Sequence, residues 1–155
     1  MFKLRKIFLL LINKQIKGIN VGTRCLTIIL DENDNKIAAM YRNYDGYLDV
    51  HGKALATFLS DIVLVDGIPC NESPKRIKYA NGMECLAAQI VAHFKEKPGN
   101  IYLCNPDDNC DNGADYIYIV SSKEKNTIPI IEIRVSNKTL IKGNPKKILK
   151  YIKGH

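Results

Sequence analysis

The sequence predicts an α+β fold, with a mainly antiparallel sheet and two main helices packed on one face. Short apolar segments separated by clusters of turn residues are typical of strands joined as hairpins. One amphipathic segment, residues 83–95, has the length and the periodicity of a helix. Several strands follow one another directly in sequence, which favours antiparallel pairing over a regular alternation of strands and helices.

Length and composition predict one compact domain. The chain has 155 residues, of which 46% are hydrophobic and 25% charged, values that are ordinary for a globular protein. We divide it into a basic N-terminal extension (1–21), a single α+β domain (22–142) and a basic C-terminal helix or tail (143–155). No run approaches the roughly 20 apolar residues that span a membrane, so we predict no membrane span.

The positive charge lies at the two ends of the chain. The formal net charge is +7, yet residues 1–24 hold six Lys or Arg and no acid, and the middle of the chain is mildly acidic. This distribution favours solvated ends over a specific nucleic-acid surface, and predicts at most weak, salt-dependent nucleic-acid binding. Residues 1–20 also have an amphipathic pattern. They either make weak contact with a membrane surface, extend from the domain without packing, or lie on it as a helix.

Cysteine and histidine usage predicts no metal and no cofactor. The five cysteines form no Cys-x-x-Cys pair, and their odd number favours a reduced, intracellular location over a disulfide framework. Three histidines are too few for a multi-histidine zinc site. The acidic loop at 107–113 departs from a calcium loop, because Gly113 falls at position 7 and Tyr118 at position 12.

The remaining elements are predicted from local patterns. In the first half, the segments are strands at 25–30 and 36–42 around a turn at 31–35, a short helix at 52–61, a helix extension or buried strand at 62–65, and mostly loop at 67–82. In the second half, they are the helix at 83–95, strands at 101–104, 116–120, 128–135 and 139–141, a polar loop at 105–115, and a helix at 145–153 with Pro at its first turn.

The stretch from Tyr41 to Gly52 holds the densest set of side chains that can recognise a ligand. It contains three of the eight tyrosines together with an arginine, two aspartates and a histidine. The candidate ligand-binding residues are Arg24, Arg42, Asp45, Tyr47 and His51. An arginine beside tyrosines can hold a phosphate or stack on a base. Alternatively, the stretch is only a rigid turn, in which Asp45 and Gly46 form the bend.

Several motifs together resemble an uncharacterised family of small viral, phage and microbial proteins. The motifs are Gly22-Thr23-Arg24, the Tyr44-Asp45-Gly46-Tyr47 loop, the stretch from Asn81 to Gln89, and Tyr116-x-Tyr118. Members of that family typically begin Met-Gly-Thr-Arg and carry a Trp-Asp-Gly-Tyr-Pro stretch before a helix. This chain has Tyr44 in place of Trp, Leu48 in place of Pro, and 21 residues before Gly22. The resemblance covers about residues 22–135. It implies a domain start at Gly22 and a viral source, and it supplies no activity.

The leading hypothesis is therefore a small, intracellular binding protein, with the site in the Asp-Gly-Tyr loop. Its partner would be a small polar or nucleotide-like ligand, or a segment of another protein. We expect Arg42 and His51 to reach one pocket, joined by Tyr47 or Arg24. The alternatives are a small hydrolase with an Asp45–His51 acid–base pair, and weak, non-specific nucleic-acid binding through the basic ends.

Overall fold

The main feature of the fold, in the part of the chain that the structure describes, is a mixed, six-stranded sheet combined with three α-helices. A computed structural model of the chain describes residues 22–67, 78–107, 113–125 and 127–155. The strands are β1 (Cys25–Leu30), β2 (Lys36–Arg42), β3 (Ile62–Val65), β4 (Lys78–Asn81), β5 (Ile101–Cys104), β6 (Tyr116–Ser121), β7 (Ile130–Val135) and β8 (Lys138–Gly143). The helices are α1 (Lys53–Leu59), α2 (Gly82–Phe94) and α3 (Pro145–Lys153), and a π-helical turn (Leu48–Gly52) leads directly into α1.

Four of the five strand pairs in the large sheet are antiparallel. The strand order is β5-β2-β1-β6-β7-β8, and only the central pair, β1 with β6, is parallel. Parallel neighbours need a long crossover connection, and residues 43–115 supply one that contains α1, α2 and a second, two-stranded parallel sheet of β3 and β4. The α+β class and the mostly antiparallel sheet are confirmed.

The β1–β2 hairpin shows how local sequence produces the first element. Asp31 Oδ1 accepts hydrogen bonds from the backbone N–H groups of Asn33 and Asn35, at 2.8 and 2.7 Å. Asp34 adopts the left-handed region, with a φ of 66°, which Asp tolerates better than most residues. The acidic turn thereby closes the hairpin and sets its register, in which Cys25 lies opposite Arg42.

Some predicted boundaries change in the structure. Residues 62–65 form strand β3 rather than an extension of the helix, and residues 78–81, predicted as mostly loop, form strand β4. Strand β8 is longer than the predicted 139–141. The N-terminal extension, residues 68–77 and residues 108–112 lie outside the described part of the chain, so the predictions for them stay predictions.

The core is one large cluster that joins the sheet to all three helices. Its buried residues from the large sheet are Cys25, Ile29, Met40, Ile101, Tyr118, Val120, Ile131 and Ile133, and those from β3 and β4 are Ile62, Leu64 and Ala80. Its buried helical residues are Leu55, Ala56, Leu59, Met83, Leu86, Ala87, Ile90 and Ile148. Alternate strand residues form a second, smaller cluster of Leu26, Ile28, Ala39 and Ile119, as the two-residue period of a strand requires. Phe94, the last residue of α2, is partly buried and packs against the large cluster.

Candidate functional site

The Asp-Gly-Tyr loop folds back onto the start of β1. The Gly46 N–H donates to the Thr23 carbonyl at 2.9 Å, and the buried Tyr118 hydroxyl donates to the Gly46 carbonyl at 2.9 Å. A Cβ atom at Gly46 would lie 2.8 Å from the Arg24 carbonyl carbon and from the Cys25 nitrogen. Glycine is therefore required here because two backbone segments come into close contact.

A π-helical turn carries His51 into the interior. The Tyr47 carbonyl accepts hydrogen bonds from the N–H groups of Val50 and Gly52, both at 3.2 Å. The bond to Gly52 spans five residues, and such wide turns occur frequently at functional sites. The turn leaves Tyr47 and Val50 exposed, whereas the relative exposure of His51 is 0%.

His51 is a neutral imidazole whose two nitrogens are both engaged. Its Nε2 lies 2.9 Å from Thr27 Oγ1, and its Nδ1 lies 3.1 Å from Nη1 of Arg42. An arginine can only donate, so Nδ1 is the acceptor and Nε2 carries the proton that bonds to Thr27. Burial, followed by the positive charge of Arg42, lowers the pKa of His51 from its ordinary 6.5 to about 3.

Arg42, the last residue of β2, is held in place by neutral groups. Its Nε donates to the Tyr44 carbonyl at 2.8 Å, and its Nη1 donates to His51. A guanidinium has five N–H donors, so three of them have no partner within the described part of the chain. Neither the carbonyl nor the imidazole neutralises the guanidinium, which keeps its full charge.

Arg42 lines a cleft of about 240 Å³ between the end of β2, the start of β5 and the C-terminal end of α2. The lining residues that matter for chemistry are Arg42, His93, Phe94, Glu96, Lys97 and Asn100. The charges of Glu96 and Lys97 offset each other, so Arg42 supplies the net positive charge of the cleft. His93, one of the lining residues, stacks on Phe58 with ring centroids 4.1 Å apart.

Of the five predicted site residues, the structure brings together only Arg42 and His51. Arg42 and His51 are in contact, but His51 lies behind the guanidinium and does not reach solvent. Tyr47 is 43% exposed and is not part of the cleft wall. Arg24 lies near the start of β6, where its backbone N–H donates to the Asp115 carboxylate at 2.9 Å. The cleft that Arg42 lines therefore includes neither Tyr47 nor Arg24.

The predicted acid–base pair of Asp45 and His51 is not formed. Both ring nitrogens of His51 are taken by Thr27 and Arg42. Asp45 is exposed and forms part of the bend, with a φ of 61°. The π-helical turn, which directs His51 inward, separates the two side chains. This geometry supports the expectation of a rigid turn at Asp45-Gly46 and gives no support to hydrolysis by this pair.

Sequence reasoning missed Asn100 and Thr27. Asn100 follows Lys97-Pro98-Gly99, which indicated only the end of a helix. Thr27 is the one hydroxyl residue in the otherwise apolar β1 segment Cys25–Leu30. A polar residue at a buried strand position needs a partner, and that was the available signal for the bond to His51.

The described residues give little support to a metal site, a reactive Cys25 or a membrane-spanning helix. Within residues 22–67, 78–107, 113–125 and 127–155, no group of three or more His, Cys, Asp or Glu side chains could hold a metal ion. Burial raises the pKa of the Cys25 thiol to about 12, against the opposing influence of Arg42, so this cysteine is a poor nucleophile. No helix among those residues is long and apolar enough to cross a membrane.

Comparison of the chain with protein-family models, with curated proteins and with solved structures found no match. The fold and the site therefore define the protein only as an α+β chain with a cationic cleft at the end of its sheet.

Proposed function

We propose that the protein binds a small anionic ligand, with its phosphate or carboxylate group on Arg42. The observation that carries the proposal is that both acceptors of Arg42, the Tyr44 carbonyl and the His51 imidazole, are uncharged. Ion pairing with a carboxylate would neutralise the guanidinium. Two neutral acceptors instead fix its orientation and leave its charge and three N–H groups for a ligand.

The Arg42 side chain is also ordered before a ligand binds. An arginine side chain has many rotamers, and ordering it on binding costs free energy. Here the hydrogen bonds to Tyr44 and His51 fix the side chain before any ligand arrives. His51 is itself fixed by Thr27, so the chain of contacts extends from the centre of the sheet to the cleft. His51 is therefore a positioning residue.

The dimensions of the cleft limit the ligand. A volume of about 240 Å³ lies below the roughly 300–1,000 Å³ of pockets that enclose drug-sized ligands. The proposal therefore favours a small metabolite or a single anionic group over a whole dinucleotide.

We also propose that the helices cover one face of the sheet. This is supported by the single buried cluster that they share with β1, β2 and β6.

Replacing Arg42 by Gln removes the charge and three of the five side-chain N–H donors, and leaves a shorter, neutral side chain. We expect isothermal titration calorimetry with inorganic phosphate to give one saturable site for the unchanged protein. The dissociation constant should rise about 10- to 100-fold in Arg42→Gln, because a charged hydrogen bond contributes about 1.5–3 kcal/mol. Lys150→Gln is the matched control, since it removes one positive charge from an exposed position on α3.

Two outcomes contradict the proposal. One is an equal affinity of Arg42→Gln and the unchanged protein for phosphate. The other is an equal loss of affinity in Lys150→Gln, which would indicate general electrostatic attraction to a basic chain. The measurements are compared at two salt concentrations, because attraction that is not specific to a site weakens steeply as ionic strength rises.

A further inference from the structure

Asn100 lies in the wall of the same cleft, in a strained backbone conformation. Its φ is 60°, in the left-handed region, which Asn adopts more readily than most residues. Its carbonyl accepts a hydrogen bond from the Asn43 N–H at 3.0 Å, and the next residue, Ile101, pairs with Arg42 across β2 and β5. The fold therefore fixes Asn100 beside Arg42.

The side-chain oxygen of Asn100 is buried and has no hydrogen-bond partner within the described residues. Buried polar atoms in native proteins are nearly always paired, so an unpaired one needs an explanation. Asn100 contributes to the cleft that Arg42 lines, and strained residues occur preferentially at ligand sites. The oxygen has almost no accessible surface in this conformation, so a donor on a ligand in the cleft reaches it once the side-chain amide rotates.

We propose that Asn100 is a ligand-binding residue, and that its amide selects anionic ligands which carry a hydroxyl or amino group close to the phosphate. Such ligands are hydroxylated phosphate esters, for example polyol and sugar phosphates. This inference rests on the proposed function and deepens it. The donors of Arg42 hold the phosphate oxygens, and the Asn100 oxygen accepts the O–H of the neighbouring carbon. The terminal torsion of an Asn side chain is soft, so the amide turns to meet the ligand.

Two probes of similar length separate the roles of the two residues. Glycerol 3-phosphate carries hydroxyl groups beside its phosphate, whereas propyl phosphate carries none. Calorimetry with the full chain should show that glycerol 3-phosphate binds about fivefold more tightly, the ratio that corresponds to one ordinary hydrogen bond. In Asn100→Gly this preference should disappear, while the affinity for propyl phosphate stays the same.

Glycine suits this position because it adopts the left-handed conformation without strain. Asn137→Gly is the matched control. Asn137 has a φ of 61° and lies in the turn between β7 and β8, away from the cleft. The control should keep the preference for glycerol 3-phosphate, and the melting temperature of both variants is measured to show that they are folded.

The possible results distinguish this inference from the proposed function. If both phosphates bind equally well to the unchanged protein, or if Asn100→Gly keeps the preference, the role of Asn100 is overturned and the role of Arg42 stands. If neither phosphate binds to the unchanged protein, both proposals are overturned.

Discussion

Replacing His51 by Ala will lower the free energy of unfolding by about 3–5 kcal/mol, the usual range for a large truncation in a core. His51 is fully buried, and its ring packs 4.9 Å from Phe94 and 5.0 Å from Tyr118. Truncation leaves a cavity and removes the hydrogen-bond partners of Arg42 and Thr27. From the sequence, His51 was expected to reach a ligand pocket, whereas in the structure it is fully buried. Urea denaturation measures the loss of stability.

The same residue makes stability depend on pH. The pKa of His51 is about 3 in the folded protein and about 6.5 when it is exposed, so the unfolded chain binds a proton that the folded chain does not. The contribution of His51 to stability is complete above pH 6.5 and is lost as the pH falls toward 3. The slope approaches about 1.4 kcal/mol per pH unit between pH 6 and 5. His51→Gln, which cannot titrate, should lack this slope.

His93→Gln is the control for this measurement, because His93 is exposed. It should keep the stability loss between pH 6 and 5. The window lies above pH 4.5, the ordinary pKa of Glu132, and the contribution of Glu132 to stability is lost mainly as the pH falls below that value. Burial raises the pKa of Glu132, but hydrogen bonds from Arg134, Thr139 and Lys142 lower it overall to about 2. If His51→Gln keeps the loss of stability between pH 6 and 5, that loss does not come from a buried, neutral His51.

Replacing Gly46 by Ala will destabilise the domain by about 3 kcal/mol or more, the upper range for overpacking. The new methyl group would lie 2.8 Å from two backbone atoms of Arg24 and Cys25 and 2.9 Å from the Cys25 Cβ. Backbone atoms at the start of β1 cannot move aside as a flexible side chain can. The loop would have to separate from the strand, with loss of the bond from Gly46 to Thr23.

Gly154→Ala is the matched control for Gly46→Ala. A Cβ atom at Gly154 meets its nearest neighbour at 3.6 Å, which is ordinary contact. Its melting temperature should stay within a few degrees of that of the unchanged protein. A similarly small change for Gly46→Ala would contradict the close packing of the loop on β1.

Local patterns predicted much of the fold, because the elements concerned depend on nearby residues. The hairpin of β1 and β2 follows from the turn at Asp31, and α3 begins at Pro145, as its sequence indicated. The parallel pairing of β1 with β6 depends on contacts between residues about 90 positions apart. No local pattern specifies which strand fills the centre of a sheet, so that neighbour was not predicted.

The sequence predicted a candidate site in the Asp-Gly-Tyr loop, but it did not predict how the side chains are arranged there. The stretch around Arg42 and His51 was singled out because it concentrates polar and aromatic side chains. The direction of each side chain depends on the π-helical turn, which has no clear signal in the sequence. Asn100 belongs to a separate loop, about 50 residues from His51 in the chain. It approaches Arg42 only because β5 pairs with β2.

The proposed function depends on a buried, neutral His51 that fixes the orientation of Arg42 before an anion binds. A phosphate titration followed by ¹H–¹⁵N NMR of the backbone amides, the Arg and Asn side-chain N–H groups and the histidine ring nitrogens tests this dependence directly. We expect saturable shifts of the Arg42 Nε–H and of the Asn100 side-chain amide, and a His51 ring that stays neutral from pH 7 to pH 5 with its proton on Nε2. A charged His51 at pH 6, or shifts confined to the lysines of α3, would contradict it.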